Sequence, residues 1–207
     1  MPDLSPHWET VYATKGEAEL SWFQDNPAIS LAMIRAATAD HSAGIIDIGG
    51  GASRLVDALL QEGYRDLAVL DLSAKALETS KLRIGAAGTT IDWIVADATT
   101  WRPQRTYDVW HDRAAFHFLT DPDDRAAYVE RLRAALEPSG QVIIATFAPD
   151  GPEKCSGLPV RRHDSASLAA ELGADFALVE TRRQTHHTPW RSTQAFQFSR
   201  FQRRSRP

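Results

Sequence analysis

This sequence has a single cysteine, no long apolar run and no excess of basic charge. Its 207 residues include one cysteine, Cys155, so neither an internal disulfide nor a cysteine-rich zinc site can form. No apolar run approaches the roughly 18 residues of a membrane-spanning helix, and no charged and then apolar leader opens the chain. We therefore expect a soluble, cytoplasmic protein without a membrane partner. Lys+Arg 23 against Asp+Glu 27 gives a net charge of -4, which argues against a nucleic-acid partner.

One stretch organises the rest of the chain, and its pattern predicts a strand, a glycine turn and a helix. Ile45, Ile46 and Ile48 form a short apolar run that includes Asp47, as expected of a strand buried on both faces. Glycines occupy positions 49–51, and the apolar spacing after them is that of a helix. Such a turn lets a ligand approach the backbone closely, and the free N–H groups of the helix start attract its polar parts.

Two common nucleotide-binding motifs are incomplete at this turn. A dinucleotide fingerprint needs a third glycine where this chain has Arg54, and a Walker A loop needs a Gly-Lys-Ser/Thr that does not follow. What remains is Asp47, an acid two residues before Gly49-x-Gly51, which can accept hydrogen bonds from an ammonium end of a ligand. This pattern resembles the first motif of the class I S-adenosylmethionine-dependent methyltransferases.

Two later apolar runs also end in an acid. Asp71 follows the run 67–70, and Asp97 follows the run 91–96. Because open α/β sheets bind ligands at the carboxyl ends of their strands, we expect the three acids to line one site, with Asp71 on the ribose hydroxyls. The resemblance implies that Asp97 and Ala98 recognise the adenine and that Leu72 lies beside them. It also implies S-adenosylmethionine as the cofactor and S-adenosylhomocysteine as the product.

The alternation of apolar runs and helical patterns predicts an α/β fold. We expect a single Rossmann-like domain over residues 1–207, with a seven-stranded sheet and helices on both faces. A helix that starts at Asp121 should bury Leu136 and end at the Pro-Ser-Gly turn 138–140. After the strands already described, the others are expected at 107–110, 141–147, 176–183 and 194–201, the last two being joined by 184–190. The resemblance implies that the last strand is antiparallel and lies between the fifth and the sixth.

Residues 1–25 form a segment rich in aromatic side chains. Trp8 and Tyr12 share a face if this segment is helical, and Trp22 follows them. The segment is either a lid that packs on the edge of the core or one that closes over the cofactor. It resembles the branch with the lysine methyltransferases of elongation factor and citrate synthase. That resemblance implies that the three aromatics and Arg113, a basic residue after the fourth strand, contact the cofactor.

The side of the sheet that binds the cofactor should also receive the acceptor. Candidate general bases there are His111, His117, His186 and His187, although each one taken alone reads more readily as a solvated or hydrogen-bonded structural histidine. The long loop 148–163 is treated as an active-site loop, because loops of this length in compact domains are usually functional. The residues expected to line the acceptor pocket are Phe116, Cys155, His187 and Trp190. No metal site is expected.

Three functions remain open at this point. The first is methyl transfer to a small nucleophile, for which a thiol is attractive because, with a pKa near ~8.5, it ionises partly by itself at neutral pH. Small bacterial methyltransferases that this chain resembles point the same way. The second is protein lysine methylation, and the third is a binding module that has kept the fold without activity. A closed pocket would favour the small acceptor, and an open acidic groove would favour lysine.

Overall fold

The apolar runs of the sequence become the strands of one mixed sheet. The computed structural model describes residues 3–204. Its strands are β1 (Ile45–Ile48), β2 (Leu67–Asp71), β3 (Asp92–Val95), β4 (Tyr107–Arg113), β5 (Leu136–Phe147), β6 (Lys154–Cys155), β7 (Leu158–Pro159), β8 (Phe176–His187) and β9 (Thr193–Arg203). Its helices are α1 (Ser5–Thr14), α2 (Ala28–Ala37), α3 (Leu55–Gln61), α4 (Ala74–Ile84), α5 (Pro122–Ala135) and α6 (Ser165–Leu172).

The main sheet has seven strands in the order β3-β2-β1-β4-β5-β9-β8. Strands β1 to β5 pair in parallel, and β9 is antiparallel to both of its neighbours, β5 and β8. The predicted topology, with the last strand inserted between the fifth and the sixth, is confirmed. The chain reverses its direction of winding between β1 and β4, and such switch points are where open α/β sheets bind ligands.

Helices cover both faces of the sheet, as predicted. Alternate residues of β1 point to opposite sides, so Ile45 packs with α2 and α3, whereas Ile46 and Ile48 pack with α5 and α6. All three isoleucines are at most 1% exposed. Burying each of them contributes roughly 1.5–3 kcal/mol relative to an exposed side chain, and this fixes β1 at the centre of the fold.

Two boundaries differ from the prediction in ways that affect the site. Helix α5 ends at Ala135. Leu136 is the first residue of β5 and pairs with Tyr107 of β4, instead of facing inward from the helix. The cause is Pro138, which lacks an N–H and disfavours helical geometry in the residue before it. Strand β4 continues past 110 to Arg113, so His111 lies within the sheet, paired in register with Asp47.

The remaining differences lie at the edges. The final hairpin is longer than predicted, because pairing between β8 and β9 continues to His187 and Thr193. The loop 148–163 contains the small hairpin of β6 and β7. The predicted lid is helix α1 followed by a short 3-10 turn at Glu17–Glu19, and its first two residues lie outside the described part of the chain.

None of the helices within residues 3–204 has the length and hydrophobicity that crossing a bilayer requires.

Candidate active site

Two adjoining cavities lie beyond the carboxyl ends of the central strands. The first is bounded by the ends of β2 and β3 on one side and by the aromatic lid on the other. The second lies between β1, β4 and the start of α2. Four residues line both cavities: Tyr12, Trp22, Gly49 and Arg113. The cavities therefore adjoin at these shared residues and form one site with two parts, which suits a ligand with two chemically different ends.

Asp71, at the end of β2, contributes a buried carboxylate to the first cavity. It accepts a hydrogen bond from the backbone N–H of Ser73 at 2.8 Å. Burial raises its pKa to about 7, and the nearby charges of Asp47 and Glu9 add to this effect. A carboxylate held in this way is short of hydrogen-bond donors, so donating hydroxyl groups of a ligand would stabilise its ionised form.

The glycine turn brings the backbone against these acids. A Cβ on Gly51, whose φ is +36°, would lie 2.7 Å from Asp71 Oδ2. A Cβ on Gly49, whose φ is +66°, would lie 2.7 Å from Ala115 Cβ. A side chain at either position would be strained and would close the approach to the strand ends. The predicted importance of both glycines thus has a steric basis in the structure.

The end of β3 is completed by a tight turn. Asp97 Oδ1 accepts hydrogen bonds from Thr99 N and Thr99 Oγ1, both at 2.7 Å. An aspartate that binds the backbone two residues later closes a turn of its own and fixes the intervening peptide. The residue inside this turn is Ala98, which lines the first cavity together with Asp97 and Leu72. All three residues predicted at this end of the site are therefore brought together.

Asp47 and His111 form a buried pair in the wall of the second cavity. His111 Nδ1 lies 2.7 Å from Asp47 Oδ1, and His111 Nε2 lies 2.9 Å from Ser30 Oγ. Both ring nitrogens are thus engaged, and the imidazole lines the second cavity but not the first. The structure does not place His111 as a free general base, since extension of β4 turns it towards Asp47.

Arg113 stands at the junction of the two cavities. Its Nη1 donates a hydrogen bond to the carbonyl of Trp22 at 2.9 Å, and its guanidinium lies over the ring of Phe196, 4.6 Å from the centroid. Nε and Nη2 are buried and have no hydrogen-bond partner among the described residues. Burial lowers the pKa of Arg113 to about 10. A buried cation with two free donors is costly, so the site is suited to an anionic group.

The wall opposite the strands is aromatic. The ring centroid of Trp8 lies 5.7 Å from that of Trp22 and 5.0 Å from that of Phe118, and Tyr12 packs beside them. Cys155, from β6, is buried in the same cavity, and burial raises the pKa of its thiol to about 11. Burial also raises the pKa of Tyr12. Both groups are therefore neutral at physiological pH.

Two of the predicted bases lie elsewhere. His117 is fully buried, and its Nδ1 accepts a long hydrogen bond from the N–H of Phe147 at 3.4 Å. Burial lowers its pKa to about 3. His186 donates from Nε2 to the carbonyl of Ser21 at 2.8 Å and thereby connects β8 to the lid. Neither side chain lines either of these two cavities, so the geometry gives no support to their predicted role as bases.

Of the four residues expected in the acceptor pocket, only Cys155 lines it. Phe116 is buried in the core on the other side of β4, against the ring of Tyr128. His187 is exposed, and Trp190 at the tip of the β8–β9 hairpin is 60% exposed. The longer pairing of this hairpin leaves its tip outside both cavities, which is why the sequence placed these two residues wrongly.

The site also contains residues that the sequence interpretation missed. Gly50 matters as much as its neighbours, because a Cβ there would lie 2.5 Å from Asp47 Oδ2. Tyr128 lines the first cavity; its hydroxyl donates to the buried Asp112 at 2.7 Å and accepts from Trp110 Nε1 at 2.8 Å. The middle glycine of the motif could have been noticed, but nothing in the sequence marks Tyr128 or Ser30.

Sheet order, glycine turn and acids at successive strand ends together define the fold of the class I S-adenosylmethionine-dependent methyltransferases. Residues 45–140 match the model of a methyltransferase domain family, so the resemblance drawn from the sequence is confirmed. The crystal structure of Burkholderia thailandensis 1,6-didemethyltoxoflavin-N1-methyltransferase, which holds S-adenosylhomocysteine, superposes with a TM-score of 0.69. Identity is 19%, over 98% of this chain and 84% of that chain.

Curated relatives are distant and differ in what they act on. Ubiquinone biosynthesis O-methyltransferase of Pectobacterium atrosepticum is 24% identical over 144 residues, which are 69% of this chain and 53% of that protein. EEF1A lysine methyltransferase 2 of Danio rerio is 27% identical over 144 residues, which are 66% of this chain and 62% of that protein. The chain thus spans about half the length of the first of these relatives.

Proposed function

We propose that this protein transfers the methyl group of S-adenosylmethionine to a small nucleophile, and that the nucleophile is a thiol. The cofactor follows from the family match and from a structural neighbour that holds S-adenosylhomocysteine. When bound, it supplies a methyl group on a sulfonium, which a nucleophile displaces directly. The acceptor is the part of the proposal that rests on the geometry of this chain alone.

The two joined cavities fit the two ends of this cofactor. In the first, Asp71 would accept from the ribose hydroxyls, and the turn of Asp97 and Ala98 would meet the adenine. In the second, Asp47 would accept from the ammonium group. The free Nε and Nη2 donors of Arg113 fit the carboxylate, which explains why a guanidinium is buried at the junction without a carboxylate partner from the described chain.

The observation that carries the choice of acceptor is the lack of a free base in the first cavity. Among the described residues that line it, Asp71 and Asp97 hold backbone groups and are assigned to the cofactor, and the hydroxyl of Tyr12 and the thiol of Cys155 have raised pKa values. No histidine of residues 3–204 lines it. An acceptor here would therefore have to ionise on its own, which disfavours an amine, since with a pKa near ~10 it is almost fully protonated. A thiol with a pKa near ~8.5 ionises in part, and its thiolate is a stronger nucleophile than a carboxylate, which favours the thiol.

The alternative is methylation of a protein lysine. The Danio rerio relative favours it, and the aromatic wall of Trp8 and Trp22 could hold a cation. Against it, the carboxylates that line the first cavity are Asp71 and Asp97, both at the cofactor end. An acidic groove for a lysine side chain is not formed by these lining residues.

The test is a panel of thiols, amines, phenols, carboxylates and lysine peptides, with S-adenosylhomocysteine release and product mass as readouts. We expect turnover with thiols, and we expect the pH at which the rate levels off to follow the pKa of each thiol. A base on the protein would instead hold that pH constant across thiols. Methylated lysine peptides without methylated thiols would refute the choice of acceptor, and no turnover with any acceptor would favour the binding module. As a control, His187→Ala changes an exposed residue outside both cavities and should turn over the same acceptors as the wild type.

A further inference from the structure

A buried hydrogen-bonded chain connects three elements behind the second cavity. Ser30 of α2, His111 of β4 and Asp47 of β1 are 1%, 2% and 5% exposed. Because a carboxylate oxygen accepts, His111 Nδ1 donates to Asp47 Oδ1 at 2.7 Å, and Nε2 lies 2.9 Å from the Ser30 hydroxyl. Both ring nitrogens of the imidazole thus have a partner, which fixes the orientation of the ring.

This hydrogen-bonded chain leaves one carboxylate oxygen of Asp47 available to a ligand. Oδ1 is occupied by His111, and Oδ2 points to the glycine turn, where a Cβ on Gly50 would lie 2.5 Å from it. Asp47, His111, Ser30 and Gly50 all line the second cavity. The carboxylate is thus held by one oxygen and open beside the turn, instead of being free to rotate.

We propose that Ser30 and His111 are positioning residues for the amino-acid end of the cofactor. They act through Asp47: His111 fixes the plane of its carboxylate, and Ser30 fixes the ring of His111, so that Asp47 meets the ammonium group in a set orientation. This inference rests on the proposed placement of the cofactor. A carboxylate that must be oriented on binding loses part of the energy of its charge-assisted hydrogen bonds.

A purely structural role for the same chain makes a different prediction, and two ligands separate the roles. S-adenosylhomocysteine carries the amino-acid end, whereas 5′-methylthioadenosine shares the nucleoside and the thioether but lacks that end. A general loss of packing would weaken both ligands equally. Loss of the orientation of Asp47 would weaken only S-adenosylhomocysteine.

The experiment measures both affinities by calorimetry for wild type and three variants. His111→Leu removes the donor to Asp47, and we expect S-adenosylhomocysteine to bind about tenfold or more weakly, as loss of a charge-assisted hydrogen bond implies. 5′-Methylthioadenosine should stay within about twofold, a change below ~0.5 kcal/mol. His111→Asn keeps a donor that can reach Asp47 and should restore part of the loss, and Ser30→Ala should produce a smaller loss of the same kind.

The matched control is the pair of His163 and Ser167. His163 is also fully buried, with Nδ1 3.2 Å from a serine hydroxyl, but it lines neither cavity. His163→Asn should leave the ratio of the two affinities unchanged. Equal weakening of both ligands in the His111 and Ser30 variants, or no weakening, overturns the positioning role. If wild type binds 5′-methylthioadenosine but not S-adenosylhomocysteine, the cofactor placement itself is wrong, which is a separate failure. Should His111→Leu fail to fold, His111→Asn and Ser30→Ala still decide the question.

Discussion

Replacing Asp71 with asparagine should stabilise the protein and weaken cofactor binding at the same time. The side chain is 6% exposed, and burial with the charges of Asp47 and Glu9 raises its pKa from 3.8 to about 7. At roughly 1.4 kcal/mol for each pH unit, an ionised carboxylate there lowers the free energy of unfolding by up to about 4 kcal/mol. Asparagine retains an oxygen that can accept from Ser73 N–H but cannot ionise.

The pH dependence has a definite direction. Because its pKa is raised on folding, Asp71 binds a proton more tightly in the folded than in the unfolded state between pH 3.8 and about 7. Its contribution to stability is therefore fully present below pH 3.8 and is lost as the pH rises through about 7. Asp71→Asn should match the wild type near pH 4 and exceed it by up to about 4 kcal/mol at pH 8. At about 2–4 °C per kcal/mol for a chain of this size, that is a gain of up to about 8–16 °C in Tm.

Binding should change in the opposite sense. In the proposed placement of the cofactor, the ionised carboxylate of Asp71 would accept from ribose hydroxyls through hydrogen bonds worth ~1.5–3 kcal/mol, so its loss should weaken S-adenosylhomocysteine binding by about one to two orders of magnitude at pH 8. Urea unfolding between pH 4 and 8.5 measures the stability of both proteins, and calorimetry at pH 8 measures their affinity for S-adenosylhomocysteine. Asp25→Asn, at an exposed position, is the control. A variant that is less stable at pH 8, or that binds as tightly as wild type, would refute the reasoning.

Two other substitutions test the steric and electrostatic environment of Gly50 and His117. Gly50→Ala places a Cβ 2.5 Å from Asp47 Oδ2 and 2.7 Å from Val69 Cγ1. Overpacking of this kind should cost about 1–3 kcal/mol in urea unfolding and weaken S-adenosylhomocysteine. Gly85→Ala, with open space around it but a φ of +61°, measures backbone strain alone for comparison. Burial lowers the pKa of His117 from 6.5 to about 3. The free energy of unfolding should therefore fall by up to ~1.4 kcal/mol per pH unit as the pH drops below 6.5. His117→Asn should remove that slope in denaturation curves and leave the affinity for S-adenosylhomocysteine at neutral pH unchanged.

The cofactor end of the site could be predicted because its determinants are local in sequence. Asp47, Asp71 and Asp97 each follow a run of apolar residues whose burial decides where the strand lies. Parallel pairing of β1, β2 and β3 then aligns their carboxyl ends without further information. The glycine spacing supplies the remaining constraint, since a Cβ at position 49 or 51 would clash. Short-range pattern and steric exclusion thus give the same answer, which is why the structure brings these predicted residues together around the two cavities.

The histidines could not be assigned in this way, because their partners are distant in sequence. His111 contacts Asp47 across 64 residues and Ser30 across 81 residues, and His186 contacts Ser21 across 165 residues. The sequence pattern predicted that the fourth strand ends at residue 110, whereas β4 continues to Arg113. That extension moves His111 from an exposed loop into a strand next to Asp47. Only tertiary pairing decides whether a histidine after a strand is free or engaged.

On the acceptor side of the site, the number of histidines alone led to a prediction of base catalysis that the geometry does not support. Four histidines near an open face suggest base catalysis, yet those the structure describes there are engaged, desolvated or exposed. His117 has its pKa lowered to about 3 by burial, and His186 has its pKa lowered while it holds the lid carbonyl of Ser21. Apart from Asp71, Asp97 and Arg113, which are assigned to the cofactor, the first cavity is lined mainly by apolar side chains, several aromatic rings and a neutral thiol. A site built this way can exclude water and hold two reactants in line, which contributes roughly 7–11 kcal/mol, whereas a base adds about 10²–10⁴-fold. Positioning therefore suffices for an acceptor that ionises by itself, and the position of the acceptor's own pKa in the rate profile is what separates this explanation from base catalysis.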